Sequence, residues 1–267
     1  SEGLTRPTGN GGAYFRWLGS DGRLYSPAAE VPAAVTTLTA QWTSPAVHFD
    51  PLTPGETYWF DLSGEGIPGT KNTSLPDESL HWVPFTYAGT VNAYVLKAAS
   101  TGKPSVSKEA ANTTDPNGTY GYRYNHSLFI ADYTLTHSVS WDELNGKNMI
   151  FGKAYPSGGV DYSLRAPSVG TFYTGSGENQ RSSPKPNEWD TILDKSGSYI
   201  KNLNGIAAWG QDSTEDTMRA HRRYDWPPTK LVASSYTEPG LGFRPVLEVK
   251  NADMLGACLL YTSDAAD

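Results

Sequence analysis

With 267 residues, a net charge of −7, 18% charged and 37% hydrophobic side chains, the chain is long enough to bury a core as one large domain or two. The acidic balance argues against a nucleic-acid partner, and no apolar run approaches membrane-spanning length. The 16 Tyr, 8 Trp and 27 Gly, beside abundant Thr and Ser, favour strand and long loop over a helical bundle.

Residues 1–43 read as a small β-rich unit. Tyr14, Phe15 and Trp17 precede a turn at Ser20-Asp21-Gly22, and Val35 to Trp42 alternates with strand period. Residues 44–54, punctuated by Pro45, Pro51 and Pro54, form a linker to a second unit over 55–250. That unit begins with a strand over Glu56–Leu62. His81–Tyr87 and Thr90–Leu96 read as two further strands about an Ala88-Gly89 turn. Ala98 to Tyr120 has no periodicity and reads as a surface excursion.

Leu128 to Val139 is strand-like. Ser140 then caps a helix, with Glu143 completing a capping box and Trp141 and Leu144 forming the buried side. A second helix is signalled over residues 187–195, where Trp189, Ile192 and Leu193 fall at i, i+3 and i+4 and Gly197 offers a left-handed exit. Gly242 to Val249 reads as a strand. Before it, Ala220 to Leu241 mixes Arg, Tyr, Asp, Trp, Lys, Thr, Ser and Pro with no helical or strand period, a composition suited to an exposed contact surface. Two short helices among many strands and long loops predict an α+β domain.

Catalytic signatures are sparse. The single cysteine, Cys258, leaves no disulfide framework and little basis for thiol chemistry. The five histidines are scattered without metal-ligand spacing; His81 and His126 lie in apolar strand contexts that suit hydrogen-bonded structural residues. There is no G-x-S-x-G elbow. A carboxylate pair for glycoside hydrolysis stays open, although nothing singles out two partners. Asp115-Pro-Asn-Gly118 begins like a calcium loop without its later ligands. No metal or other cofactor is therefore expected. Trp17, Trp59, Trp82, Trp141, Trp189 and Trp209 read as core; Trp226, between charges and a Pro pair, is left open between burial and contact.

Leu38-Thr-Ala-Gln-Trp42 resembles the closing strand of bacterial surface repeats known from internalins and Bacteroides surface proteins. SLFIADYTLTHSVSWDELN (Ser127–Asn145) and Tyr162–Ser168 resemble the strand-to-helix start and the "YRLPTE" segment of C-type lectin domains of the formylglycine-generating-enzyme type. The ordered blocks LPD, LHWVPFTYAGTV, SWDELN, LRAPSVG, NEWDTILDK, WGQD and GFRPVLE together are similar to the variable protein of a diversity-generating retroelement. That resemblance covers about Val47 to Val249.

It implies an α+β C-type lectin-like domain, extracellular on a bacterial cell surface or phage particle, without catalysis. Its C-terminal face would bind an unknown protein or glycan on another cell, phage or host surface. The RAxRxY opening at Arg219 places the variable region at about 219–249. By placement the contacting residues are His221, Arg223, Tyr224, Asp225, Trp226, Thr229, Lys230, Val232, Tyr236 and Glu238. Tyr and Trp supply stiff amphipathic contact area, and Arg supplies directional hydrogen bonds. The sequence departs from the pattern at Pro227-Pro228, which cannot donate to a strand ladder. The alternatives are a lectin-fold carbohydrate-binding module, an Asp/Glu-dependent hydrolase and a stalk module without a specific ligand. The absence of the Glu-Pro-Asn and Gln-Pro-Asp sugar motifs weighs against calcium-dependent sugar recognition. Cys258 to Asp267 resembles a translated sequencing adapter, so the natural chain is expected to continue differently after Ala257.

Overall fold

The computed structural model describes residues 15–21, 24–25, 31–42, 53–98, 121–157, 160–174, 181–203, 205–214, 216–223 and 229–250. The Asp115 loop, Cys258 and nearly all of the 98–120 excursion lie outside them. The first strands, β1 (Phe15–Gly19), β2 (Leu24–Tyr25) and β3 (Leu38–Trp42), pair antiparallel in the order β2-β1-β3. β3 covers the LTAQW segment and starts later than the alternation from Val35 predicts. Ahead of it a turn closed by the Val35 amide on the Pro32 carbonyl takes up the start of that stretch, and the Ser20 hydroxyl accepts from the Thr36 amide in place of a strand partner.

The strands that follow are β4 (Thr57–Phe60), β5 (Thr70–Lys71), β6 (Val83–Leu96), β7 (Gly121–Ala131) and β8 (Thr136–His137). After helix α1 (Trp141–Gly146) come β9 (Lys153–Ser157), β10 (Val160–Arg165), β11 (Phe172–Thr174) and β12 (Arg181–Ser183). Helix α2 (Glu188–Lys195) precedes β13 (Ala207–Trp209), β14 (Met218–Arg222), β15 (Thr229–Ala233), β16 (Leu241–Phe243) and β17 (Val246–Val249). One six-stranded sheet runs β4-β6-β7-β17-β10-β9, another β15-β14-β13-β16-β8-β5, and β11 and β12 form a ribbon. The expected class, α+β with small sheets and few helices, describes this architecture. No helix of the described residues is long and apolar enough to cross a membrane.

Local chemistry sets both helices. The Ser140 side chain accepts from the Glu143 amide while Glu143 reaches back to the Ser140 amide, closing the capping box on α1. Asn187 caps α2 through the Asp190 amide, and Trp189, Ile192 and Leu193 are its buried stripe. Its exit differs from expectation. Ser196 ends the helix in extended backbone and Gly197 opens a 3-10 turn, so no left-handed glycine is used.

Three other expectations are corrected. Residues 81–96 do not form a hairpin about Ala88-Gly89. β6 runs through that point as one strand with a bulge, because β7 pairs with both halves across a register shift between Tyr87 and Gly89, and Gly89 supplies the φ of +71°. Residues 242–249 are not one strand. Arg244-Pro245 breaks the run, handing β16 to one sheet and β17 to the other. His81 is exposed, 3.3 Å from the Asp61 carboxylate, and not buried in a strand. Of the Trp residues expected in the core, 82, 141, 189 and 209 are buried and Trp59 is half-buried, whereas the side chain of Trp17 lies outside the description.

The larger apolar cluster gathers Phe60, Phe85, Phe129, Tyr162, Trp141 and Trp209 with the aliphatic residues about them; the smaller packs Ile192, Leu193 and Trp189 of α2 against Val91, Ala93 and Leu128. Beside the second cluster lies a buried ion cluster. Arg165 on β10 forks onto both Glu188 oxygens at 2.8 and 2.6 Å and onto Glu248 at 3.0 and 2.8 Å. Glu188 also meets His126 Nε2 at 2.7 Å and accepts from the Ser168 amide at 2.8 Å. Glu248 accepts from the Tyr124 hydroxyl and from Lys250. Four elements (β7, β10, α2 and β17) thus converge on one guanidinium.

Burial by itself would raise both carboxyls, but Arg165 outweighs it and holds each at about 2, below the usual 4.5. A depressed carboxylate stabilises the fold above its unfolded value and loses that contribution as pH falls through its folded value. These two therefore contribute fully above about pH 4.5 and lose it as pH falls toward 2. Replacing Arg165 with Leu leaves two buried carboxylates without their main counter-charge, and urea unfolding should show a loss of about 3–5 kcal/mol. The triple variant R165L/E188Q/E248L should recover much of it and flatten stability between pH 4.5 and 2.

Candidate ligand-binding face

The strands expected to carry contacts form the open end of the second sheet. β14 pairs antiparallel with β15, bringing Arg222 opposite Thr229, His221 opposite Lys230, Ala220 opposite Leu231 and Arg219 opposite Val232. Strand pairing in this stretch was not legible in the mixed composition of Ala220–Leu241. β15 starts at Thr229, and Pro227-Pro228 lie outside the described residues. Residues opposite one another across a ladder share a face. His221 is also paired with Trp209 of β13, so Trp209, His221 and Lys230 make one row across three strands.

Alternation divides the labour of β14. On one side Ala220 is fully buried in the smaller cluster, and Arg222 donates to Ser182 and to Asp190 at 2.7 Å. Asp190 is itself fixed by the Ser182 amide and the Asn187 amide group. This side cannot vary freely, because each partner is buried. On the other side lie Arg219, His221 and Arg223. The Arg219 guanidinium stands 4.4 Å over the Trp141 ring, a cation–π contact that ties β14 to α1. Ser234, after β15, bonds Asp142 through backbone and hydroxyl.

Exposure rises along each row. Trp209 is buried, with its indole donating to the Val139 carbonyl; His221 retains 6% exposure, and Lys230 is exposed. Arg219 is buried and Val232 half-buried. Tyr236 in the following turn is 42% exposed and donates to Glu238. Glu238 is close enough to His221 to influence its charge. Among the expected contact residues, His221, Arg223, Lys230, Val232, Tyr236 and Glu238 therefore gather at one end of the sheet. Thr229 lies on β15 opposite Arg222, its side chain undescribed, and Tyr224, Asp225 and Trp226 lie outside the described residues.

His221 occupies an unexpected position, beneath the surface with its ring edge-on to Trp209 at 6.0 Å. Its Nδ1 is buried without a hydrogen-bond partner among the described residues. Burial, and then the positive charges of Lys230 and Arg223, outweigh Glu238 and lower its pKa to about 4.

Other chemistry is limited. Glu188 and Glu248 converge on Arg165, but both are held low, the reverse of the raised carboxyl that a general acid needs. Among the described residues no three His, Cys, Asp or Glu side chains come together to hold a metal ion. WGQD is a structural knot: Gln211 bridges the Leu96 amide and the Ile150 carbonyl, and Asp212 joins the Tyr94 hydroxyl to the Val169 amide. A 430 Å³ cavity at the β5–β8 end of the same sheet was not foreseen, since Asn72, Thr134 and Asn202 come from three separate segments that read as loop or strand. No family model, curated protein or solved structure matches the chain.

The depressed His221 gives a signed expectation. The unfolded chain binds this proton first, so stability falls as pH drops from 6.5 and levels off near 4. The slope reaches about 1.4 kcal/mol per pH unit for one group. His221→Gln should remove that slope, so that the stability difference between wild type and variant shifts in favour of the variant between pH 6.5 and 4.5; parallel chemical denaturation at each pH reads it.

Proposed function

We propose that this chain is a non-catalytic ligand-binding protein of the bacterial cell surface or a phage particle. Its contact surface is the β14–β15 end of the second sheet with the adjoining 236–238 turn. The observation that carries this reading is the gathering of His221, Arg223, Lys230, Val232, Tyr236 and Glu238 there, over a layer fixed by Trp141, Trp209 and Arg222. A face of this kind accepts substitutions on its exposed positions at about half a kcal/mol or less, because no packed partner is lost. Exposed Tyr and Lys beside half-buried Val and Arg give an amphipathic patch suited to protein or glycan surfaces.

The same arrangement supports the finer reading: a C-type lectin-like domain of the retroelement variable-protein type, following the end of a bacterial surface repeat. β3 falls on LTAQW, α1 and α2 fall on SWDELN and NEWDTILDK, and both helices are capped by the residues that those blocks supply. Buried roles for Arg165, Glu188, Asp212, Arg222 and Glu248 suit the invariant frame that such diversification requires.

Two experiments test the proposal. In the double variant K230A/Y236A, binding to a panel of intact bacterial cells and recombinant surface proteins should fall at least about tenfold for any bound target, a loss of 1.4 kcal/mol. Its thermal midpoint should stay within about 2 °C; a large midpoint drop with binding retained would assign these side chains to packing. Sequencing of the complete locus should find an adenine-rich template repeat and a reverse transcriptase gene, and their absence would end the retroelement reading.

A further inference from the structure

The β5–β8 end of the second sheet carries an open cleft of 430 Å³ bounded by Asn72, Thr73, Ser74, Tyr133, His137 and Asn202 among others, with Thr73, Ser74 and Asn202 exposed. That volume lies within the range of small-molecule sites, about 300–1,000 Å³. None of its lining residues is Asp, Glu, Lys or Arg. The nearest carboxylate on the same segment, Asp132, is occupied by the Thr86 hydroxyl and by Lys201. An anion would meet no cation in the wall, and a cation no carboxylate.

The wall instead offers groups that both donate and accept. The Thr73, Ser74 and Tyr133 hydroxyls have no partner among the described residues. His137 spends Nδ1 on Ser138 and keeps Nε2 uncommitted, and Asn202 spends its amide nitrogen on the Asp132 carbonyl and keeps its oxygen. Hydroxyls match a ligand that carries donors and acceptors on the same atoms. The half-buried Tyr133 ring adds an apolar wall, which suits the C–H face of a ring.

The cavity is also held open. Asn72 bonds the Thr134 carbonyl at 2.7 Å, Thr134 the Ile206 carbonyl at 3.2 Å, and the buried Arg244 clamps the Lys201 and Asn202 carbonyls at 2.8 and 2.9 Å. Asn202 and Ser138, at φ of +48° and +54°, stand in left-handed backbone at its border. For serine that conformation is strained, and such strain gathers at ligand sites. Two backbone acceptors, the Glu238 and Leu241 carbonyls, hold Ser138 there through its amide.

We infer that this cavity binds a neutral, densely hydroxylated ligand, a mono- or disaccharide, at a site separate from the β14–β15 face. The two share only the turn that carries Tyr236 and Glu238 to one side and Pro239 into the cavity wall. The inference does not rest on the proposed role of that face.

Isothermal titration and saturation-transfer NMR of the full chain test it, with methyl glycosides of glucose, galactose, mannose and N-acetylglucosamine as probes. Glucose 6-phosphate, glucosamine and sialic acid serve as charged comparisons. At least one neutral glycoside should bind saturably with a Kd of about 1 mM or tighter. Tyr133→Phe combined with Ser74→Ala should weaken it at least tenfold, and Ile206→Trp should abolish it, each with the thermal midpoint retained. K230A/Y236A should leave it unchanged. Absence of saturable binding by every neutral glycoside, equal affinity for the charged sugars, or insensitivity to Y133F/S74A would overturn the assignment. Loss of glycoside binding in K230A/Y236A alone would move the sugar to the β14–β15 face and also overturn it.

Discussion

A guanidinium buried between two carboxylates is costly to assemble and tolerates little displacement once assembled. Arg165 meets Glu188 and Glu248 with four short hydrogen bonds, and those carboxylates also engage His126, the Ser168 amide, Tyr124 and Lys250. Desolvating three charges offsets much of their attraction. The net contribution to stability is therefore small beside that of the apolar clusters. The geometric consequence is larger. A planar fork accepts its partners in few orientations, so β7, β10, β17 and α2 must meet in one arrangement. Arg222 on Asp190 repeats this in the same first turn of α2, and Arg244 does it with carbonyls alone. In Arg244, burial outweighs Asp132 and lowers the guanidinium to about 10. These arginines clamp segments joined by long loops, where a helical bundle would use continuous side-chain ridges.

The clamps explain how one strand can be fixed and displayed at once. β14 gives Ala220 and Arg222 to the interior and leaves the neighbouring row to climb outward from Trp209 through His221 to Lys230. His221 is the transition between the two regimes. It is too deep to be an open contact in this conformation, yet its Nδ1 has no hydrogen-bond partner among the described residues. The row thus passes from obligatory packing to open surface within three strands.

Legibility followed the range of the interactions involved. Ser140 with Glu143, and Asn187 with the Trp189-Ile192-Leu193 stripe, are decided within one or two helical turns, and the sequence revealed both helices. The LTAQW strand was legible by its alternation. Strand continuity was not, because it is decided by partners far along the chain. Ala88-Gly89 reads as a turn until β7 is seen pairing with both halves of β6, and GFRPVLE reads as one strand until Arg244-Pro245 is seen passing the chain between sheets. The β14–β15 pairing was hidden for a related reason: β14 puts arginines on both faces, so hydrophobic alternation is absent although strand geometry is present. Arg165 gave no signal of its own, since its partners lie 23 and 83 residues away. The placement of the expected contact residues came from resemblance, and the β14–β15 register puts only His221, Thr229, Lys230 and Val232 of them on neighbouring strands. The cavity's lining is discontinuous and ordinary in composition, which left nothing to read.

The outer strands carry a consequence for behaviour in company. β15 and β5 end the second sheet and β4 and β9 end the first, and an unpaired edge is a template on which neighbouring chains can polymerise. β9 carries Pro156 in mid-strand, which has no N–H to offer an incoming chain. β15 is five residues long, follows a proline pair and presents an exposed lysine, the devices by which edges are kept solitary. With β9 and β15 blunted, and β4 and β5 only four and two residues long, side chains on the protein surface can meet a partner without the backbones joining into fibres.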